Sequence, residues 1–262
     1  MKLDTSSYYP KSPLGDDPLD ETPASGIEKE KPEVEPENKK RHSIVETGQR
    51  EDVPKDWEIF VARFCNFLSW ILVPLLMPVY GLLLAFGLSI LSFADIKVKL
   101  IFTLIVAAIT LVIPSLLVVL LKKFGLVEDV GLNGRKERTI PYVICILSLV
   151  ATALFMWFRA APLWLTMFFA GGAVAGVVEV VVNFRWKISV HAAGIAGIVA
   201  LLLRIMRSGY ASSDAFVWLI VAVVLAGMLG SARVWLQRHT VTQVLAGYAV
   251  GFCSIFFMTM IH

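Results

Sequence analysis

Beyond residue 58 this chain almost runs out of acid. Of its 21 Asp and Glu residues, 15 lie in residues 1–58, and only Asp95, Glu128, Asp129, Glu137, Glu179 and Asp214 follow. Charged residues of both signs make up 17% of the sequence, against roughly a quarter in water-soluble proteins. That scarcity excludes an ordinary soluble globule and a solvated nucleic-acid-binding domain. Cysteine is equally sparse. Cys65, Cys145 and Cys253 sit inside apolar stretches with no pair at a metal-ligand or redox spacing, so neither a disulfide scaffold nor a zinc module is expected. The sequence also lacks a Gly-rich nucleotide loop and the basic, aromatic-studded surface that nucleic acid would require. No nucleic-acid partner and no cofactor are expected.

What is present is apolar. Hydrophobic types make up 57% of the residues and the mean hydropathy is +0.72. The distribution is uneven, because the N-terminal stretch holds seven of the 12 prolines together with most of the acid. Residues 1–56 therefore read as a disordered, acidic, Pro-rich tail that buries too little apolar surface to offset its ordering entropy. It has no signal-peptide pattern. Residues 57–262 read as one transmembrane domain. From Trp57 to Phe67 aromatic and charged residues interleave, which suits a short helix at the membrane interface.

A bilayer core about 30 Å thick asks for about 20 apolar residues per helix. Spans are expected near residues 68–93, 99–121, 140–157, 162–183, 188–206, 215–231 and 240–261. The expected fold is all-α: a polytopic bundle of six or seven transmembrane helices, since backbone groups in lipid must pair within their own segment. Small residues at 170–176 and 192–197 suit close helix packing. Trp157, Trp164 and Trp235 suit interfacial anchors.

Polar residues concentrate in three connections: residues 122–141, 185–191 and 231–243. Two spans separate the first from the second, and two more separate the second from the third. An even number of crossings returns the chain to its starting face, so all three share one side of the membrane. The two internal histidines, His191 and His239, stand in the second and third connections, each at the start of a span where a helix N-terminus favours an anion. Lys187 and Ser189 precede His191, Arg233 and Arg238 precede His239, and Arg135, Lys136 and Arg138 come from the first connection. Two imidazoles, several cations and a hydroxyl on one face describe a phosphate site. One His can attack phosphorus while the other protonates the leaving oxygen, and the cations neutralise charge on the equatorial oxygens.

The stretch Arg233-VWLQR-His239-TVT-Gln243-VLA-Gly247 resembles the third signature of the type-2 phosphatidic acid phosphatase and vanadium haloperoxidase superfamily, in which Ser-Arg is followed by five residues, His, three residues and Asp. Ile188-Ser189-Val190-His191 resembles its Pro-Ser-Gly-His signature. Arg138-Thr139-Ile140-Pro141 resembles a modified form of the first signature, and the likeness covers roughly residues 120–251. The resemblance implies His239 as nucleophile and His191 as general acid. It implies Arg233, Arg138 and Ser189 as phosphoryl ligands, with Arg135, Lys136 and Lys187 as supporting cations. It implies no metal, a lipid phosphate or pyrophosphate drawn from the bilayer as substrate, and a multi-pass place in the cell (inner) membrane.

The chain departs from that pattern. Gly131 stands where the leading Lys of the first signature belongs, Ile188 and Val190 replace Pro and Gly, and Ala232 replaces Ser. Gln243 takes the place of the Asp that orients the nucleophilic His. Gln243 follows His239 by four residues, so it lies on the same helix face and its carbonyl can accept the Nδ1–H. It cannot support an imidazolium as a carboxylate does. Two readings stay open: a phosphatase in which another carboxylate substitutes, or a catalytically impaired lipid-phosphate-binding or assembly protein on the same scaffold. Glu179, the only acid deep within an expected span, is the candidate substitute. Oligomeric state is not legible.

Overall fold

The apolar runs become helices because lipid offers the backbone no other partner. The computed structural model describes residues 56–124 and 139–261; the tail before Asp56, residues 125–138 and His262 lie outside the described residues. The chain divides into Met1–Val61, described only for the opening turns of the first helix, and Ala62–His262, which holds the bundle. Nine α-helices are described: α1 Asp56–Ile71, α2 Met77–Leu88, α3 Ile96–Ala107, α4 Ile113–Lys123, α5 Thr139–Phe158, α6 Leu163–Asn183, α7 Val190–Arg207, α8 Ala215–Trp235 and α9 Val241–Thr259. No strand occurs among the described residues. They form seven segments long and apolar enough to cross a membrane, with α1–α2 and α3–α4 each continuing as one segment. This is a multi-pass, all-α membrane protein.

Local chemistry sets the breaks. Pro74 opens a single 3-10 turn between α1 and α2, and Pro78 occupies the first turn of α2, where its missing N–H costs nothing. The Tyr80 hydroxyl donates to the Ile71 carbonyl at 3.0 Å and clamps the break. Between α3 and α4 the chain widens into a π-helical turn at Ala108–Val112. Pro114 follows, and its ring cannot accept the Thr110 carbonyl in α-helical register, so the extra residue in the turn relieves the clash. Asp95 caps α3 through a 2.7 Å bond from the Lys97 N–H.

Two expected boundaries shift. The first span was expected over residues 68–93 after a separate interfacial helix. Instead α1 runs unbroken from Asp56 through Ile71, α2 ends at Leu88, and Ile90–Phe93 is a 3-10 turn. The sixth span runs to Trp235 rather than residue 231, because Ser231, Ala232 and Arg233 continue the helix before the turn. Arg233 is therefore a last-turn helix residue, not a loop residue.

The bundle is organised around α7. Its most apolar window is 56% buried against 17% for the α3–α4 segment, so α7 is the core helix and α3–α4 a lipid-facing one. Leu100, Ile101 and Leu104 are correspondingly exposed apolar side chains. Close approach of α9 to α7 depends on two glycines. A methyl at Gly247 would collide with the Ser189 carbonyl, and one at Gly251 with the Ala193 carbonyl. The Ser189 N–H also donates to the Gln243 carbonyl at 3.3 Å, joining the starts of the two helices. That contact positions the site.

Candidate functional site

Helix α7 begins at Ser189, whose side-chain oxygen accepts from the Ala192 N–H at 3.4 Å. This cap fixes the first turn and with it His191, two residues on. The Nε2 atom of His191 lies 3.2 Å from the Ser69 carbonyl oxygen of α1. A carbonyl can only accept, so Nε2 carries a hydrogen and Nδ1 is the nitrogen left for proton exchange.

The turn before α9 is built by Arg233. Its carbonyl accepts from the N–H of Arg238 at 3.1 Å and of His239 at 3.3 Å, while Gln237 turns through the left-handed region at φ 50°. With the Gln237 N–H donating to the Val234 carbonyl at 2.9 Å, this is a Schellman motif with the left-handed reversal at Gln237. It gives the five-residue spacing between Arg233 and His239 a structural cause: the His239 N–H returns to the carbonyl of the residue six before it.

Thr240 then caps α9 in a capping box with Gln243. Gln243 Oε1 receives the Thr240 N–H at 3.3 Å and faces His239 Nδ1 at 3.2 Å. Because a backbone N–H points at it, that Gln243 atom must be the amide oxygen, which settles the orientation of the amide. His239 Nδ1 therefore holds a hydrogen. The two histidines are held through opposite ring nitrogens, Nε2 of His191 and Nδ1 of His239.

Both rings open into one cavity of about 760 Å³. Lys187, Arg233 and Arg238 line it beside them, and the Arg233 guanidinium and the His239 ring lie within electrostatic reach of His191. Farther into the bundle the wall becomes apolar, with Met77, Phe168, Phe169 and Ile255. The cavity thus has a cationic, imidazole-bearing end and a greasy end, which suits an amphiphile with an anionic head.

Of the residues singled out from sequence, His191, His239, Arg233, Lys187 and Glu179 meet on this wall. Gln243 supports it from behind through His239. Ser189 does not line the cavity. It is fully buried and its side-chain oxygen serves the helix cap, so it acts by placing His191 rather than by holding an anion. Arg135, Lys136 and Arg138 lie outside the described residues. Glu179 is 5% exposed, on α6, and its carboxyl acts on the Cys145 thiol of α5. The partner of His239 Nδ1 is Gln243, not Glu179. Among the described residues no group of three or more His, Cys, Asp or Glu side chains is arranged to hold a metal ion.

One participant was missed in the sequence: the Ser69 carbonyl has no signature, since any residue supplies one. Arg238, one of the cations singled out before His239, lies on the cavity wall. Comparison of the chain with protein-family models, with curated proteins and with solved structures found no match.

Proposed function

We propose that this chain is a membrane phosphatase that hydrolyses a lipid phosphate or pyrophosphate through a phospho-histidine, as its resemblance to the type-2 phosphatidic acid phosphatases suggests. The observation that carries the reading is the pair of oppositely held imidazoles opening into one cationic cavity. His239 attacks phosphorus through Nε2, the ring nitrogen not held by Gln243, as the bond from phosphorus to the leaving oxygen breaks. His191, protonated at Nδ1 and still donating Nε2–H to the Ser69 carbonyl, gives its Nδ1 proton to that oxygen. Water then attacks the phospho-histidine, the phosphorus–nitrogen bond breaks, and His191 takes up the water proton. Arg233 and Lys187 neutralise the phosphoryl oxygens, with Arg135, Lys136 and Arg138 as further ligands. The apolar end of the cavity takes the lipid chain. The compartment in this reading is the cell (inner) membrane, and no metal takes part.

Glu179 enters the proposal as the carboxylate that compensates for Gln243. A Glu179→Gln variant with full turnover would remove it from the mechanism. Gln243 also favours a second reading, a lipid-phosphate-binding or assembly protein, because its amide orients His239 without a negative charge to support an imidazolium.

The deciding experiment is phosphate release from a panel of lipid phosphates and pyrophosphates by the purified chain in chelator, with and without vanadate. Release that vanadate inhibits and chelator leaves intact supports the phosphatase. Saturable lipid binding with no release supports the second reading. Release that requires an added divalent cation overturns the proposed chemistry.

A further inference from the structure

A second polar pocket sits at the other end of the bundle. Its volume is about 430 Å³, and Arg204, Arg207, Ser208, Tyr210 and Trp164 are among the residues that line it. The two arginines close the last turn of α7, the helix whose first turn carries His191. At 1.5 Å of rise per residue they lie roughly 20–24 Å from that histidine, close to the thickness of a bilayer core. The pocket therefore faces the opposite side of the membrane from the histidine cavity.

Three features suit an anion. Among the described residues no acidic side chain lines the pocket. Arg204 is half-buried and oriented by its Nε–H, which donates to the Thr259 carbonyl at the end of α9 at 2.9 Å, so its two terminal nitrogens are presented in a fixed direction. Arg207 is exposed and close enough to act electrostatically on Arg204. Two like charges held together, with no Asp or Glu among the described lining residues, are relieved by a bound anion, and paired guanidinium forks match phosphate oxygens. Gly209, at φ +74°, turns the chain so that Tyr210 follows on the rim. Trp164 and Tyr210 are the amphipathic aromatics that settle at headgroup level.

We propose that this pocket binds a phosphate group on the membrane face opposite the histidines, carried by an anionic phospholipid headgroup or by free phosphate. The site does not rest on the phosphatase reading. The test titrates the purified full chain in phosphatidylcholine-containing micelles with phosphatidylglycerol in one arm and inorganic phosphate in the other. Bound molecules are counted by native mass spectrometry, for wild type, Arg207→Gln and Arg204→Gln/Arg207→Gln. One bound phosphatidylglycerol is expected to weaken roughly tenfold in Arg207→Gln, the loss of one charge-assisted contact, and to disappear in the double variant. A change confined to the inorganic-phosphate arm supports the site with a soluble ligand. Because Arg204 also holds the end of α9, a fall in thermal stability of the double variant leaves Arg207→Gln to decide. Wild-type affinity and stoichiometry of Arg207→Gln in both arms would overturn the proposal.

Discussion

The starts of α7 and α9 both carry a histidine beside the cap, yet they present it in opposite ways. His191 comes two residues after its cap, Ser189, inside the helix, whereas His239 comes one residue before its cap, Thr240, outside the helix. From inside, His191 reaches across to α1 and spends Nε2 on the Ser69 carbonyl. From outside, His239 folds onto its own helix and spends Nδ1 on Gln243. Position relative to the cap therefore selects which ring nitrogen the protein holds, and with it the nitrogen proposed for chemistry. Two copies of one side chain acquire different proposed tasks from a shift of three places about a cap.

The largest expected break in this pairing is His239→Ala, which should lower phosphate release by about 10⁴-fold or more, since no other group supplies the nucleophile. His191→Ala should cost about 10²–10⁴-fold. Its loss should shrink when an activated aryl phosphate replaces the lipid phosphate, because a good leaving group needs no acid. Equal loss on both substrates would contradict the assignment of His191. Gln243→Glu sharpens the comparison from the other direction. It retains the capping box and adds the charge, so turnover should rise by about tenfold or more, given that removing the equivalent carboxylate from a serine protease costs about 10⁴. An unchanged rate would show that another group already supplies that charge, with Glu179 the first to examine.

Gly251→Ala acts on the joint between the two helices. It should cost about 1–3 kcal/mol, read as a lower Tm, because the Ala193 carbonyl cannot move aside without shifting α7. The smallest effect belongs to Ser189→Ala. Loss of the cap should cost about 1 kcal/mol of stability and reduce turnover only a fewfold. A loss as deep as that of His191→Ala would return Ser189 to the role of a phosphate ligand.

Much of this was legible before any fold was known. The parity of spans places the second and third connections on one face from hydropathy alone, and the structure brings Lys187, His191, Arg233 and His239 onto one cavity wall. The four-residue step from His239 to Gln243 is a property of helix geometry, so that contact was readable as well. A serine before a helix reads equally well as a cap and as a ligand, and burial of Ser189 with its oxygen on the Ala192 N–H is what favours the cap. The extent of the sixth span was misjudged because Ser231 and Arg233 break its apolar run, although the helix continues through both and Arg233 faces the cavity.

Composition and hydropathy determined by themselves that this protein crosses the membrane repeatedly as helices, since an apolar backbone segment in lipid has no other way to satisfy its own polar groups. Tertiary structure decided which nitrogen of each histidine is held by a hydrogen bond to the protein. That choice depends on a Ser69 carbonyl 122 residues away from His191 along the chain and on the glycine contacts that bring α9 against α7. A carbonyl carries no side-chain signature, and close approach of two helices depends on the shapes of both, so neither can be read from one stretch of residues.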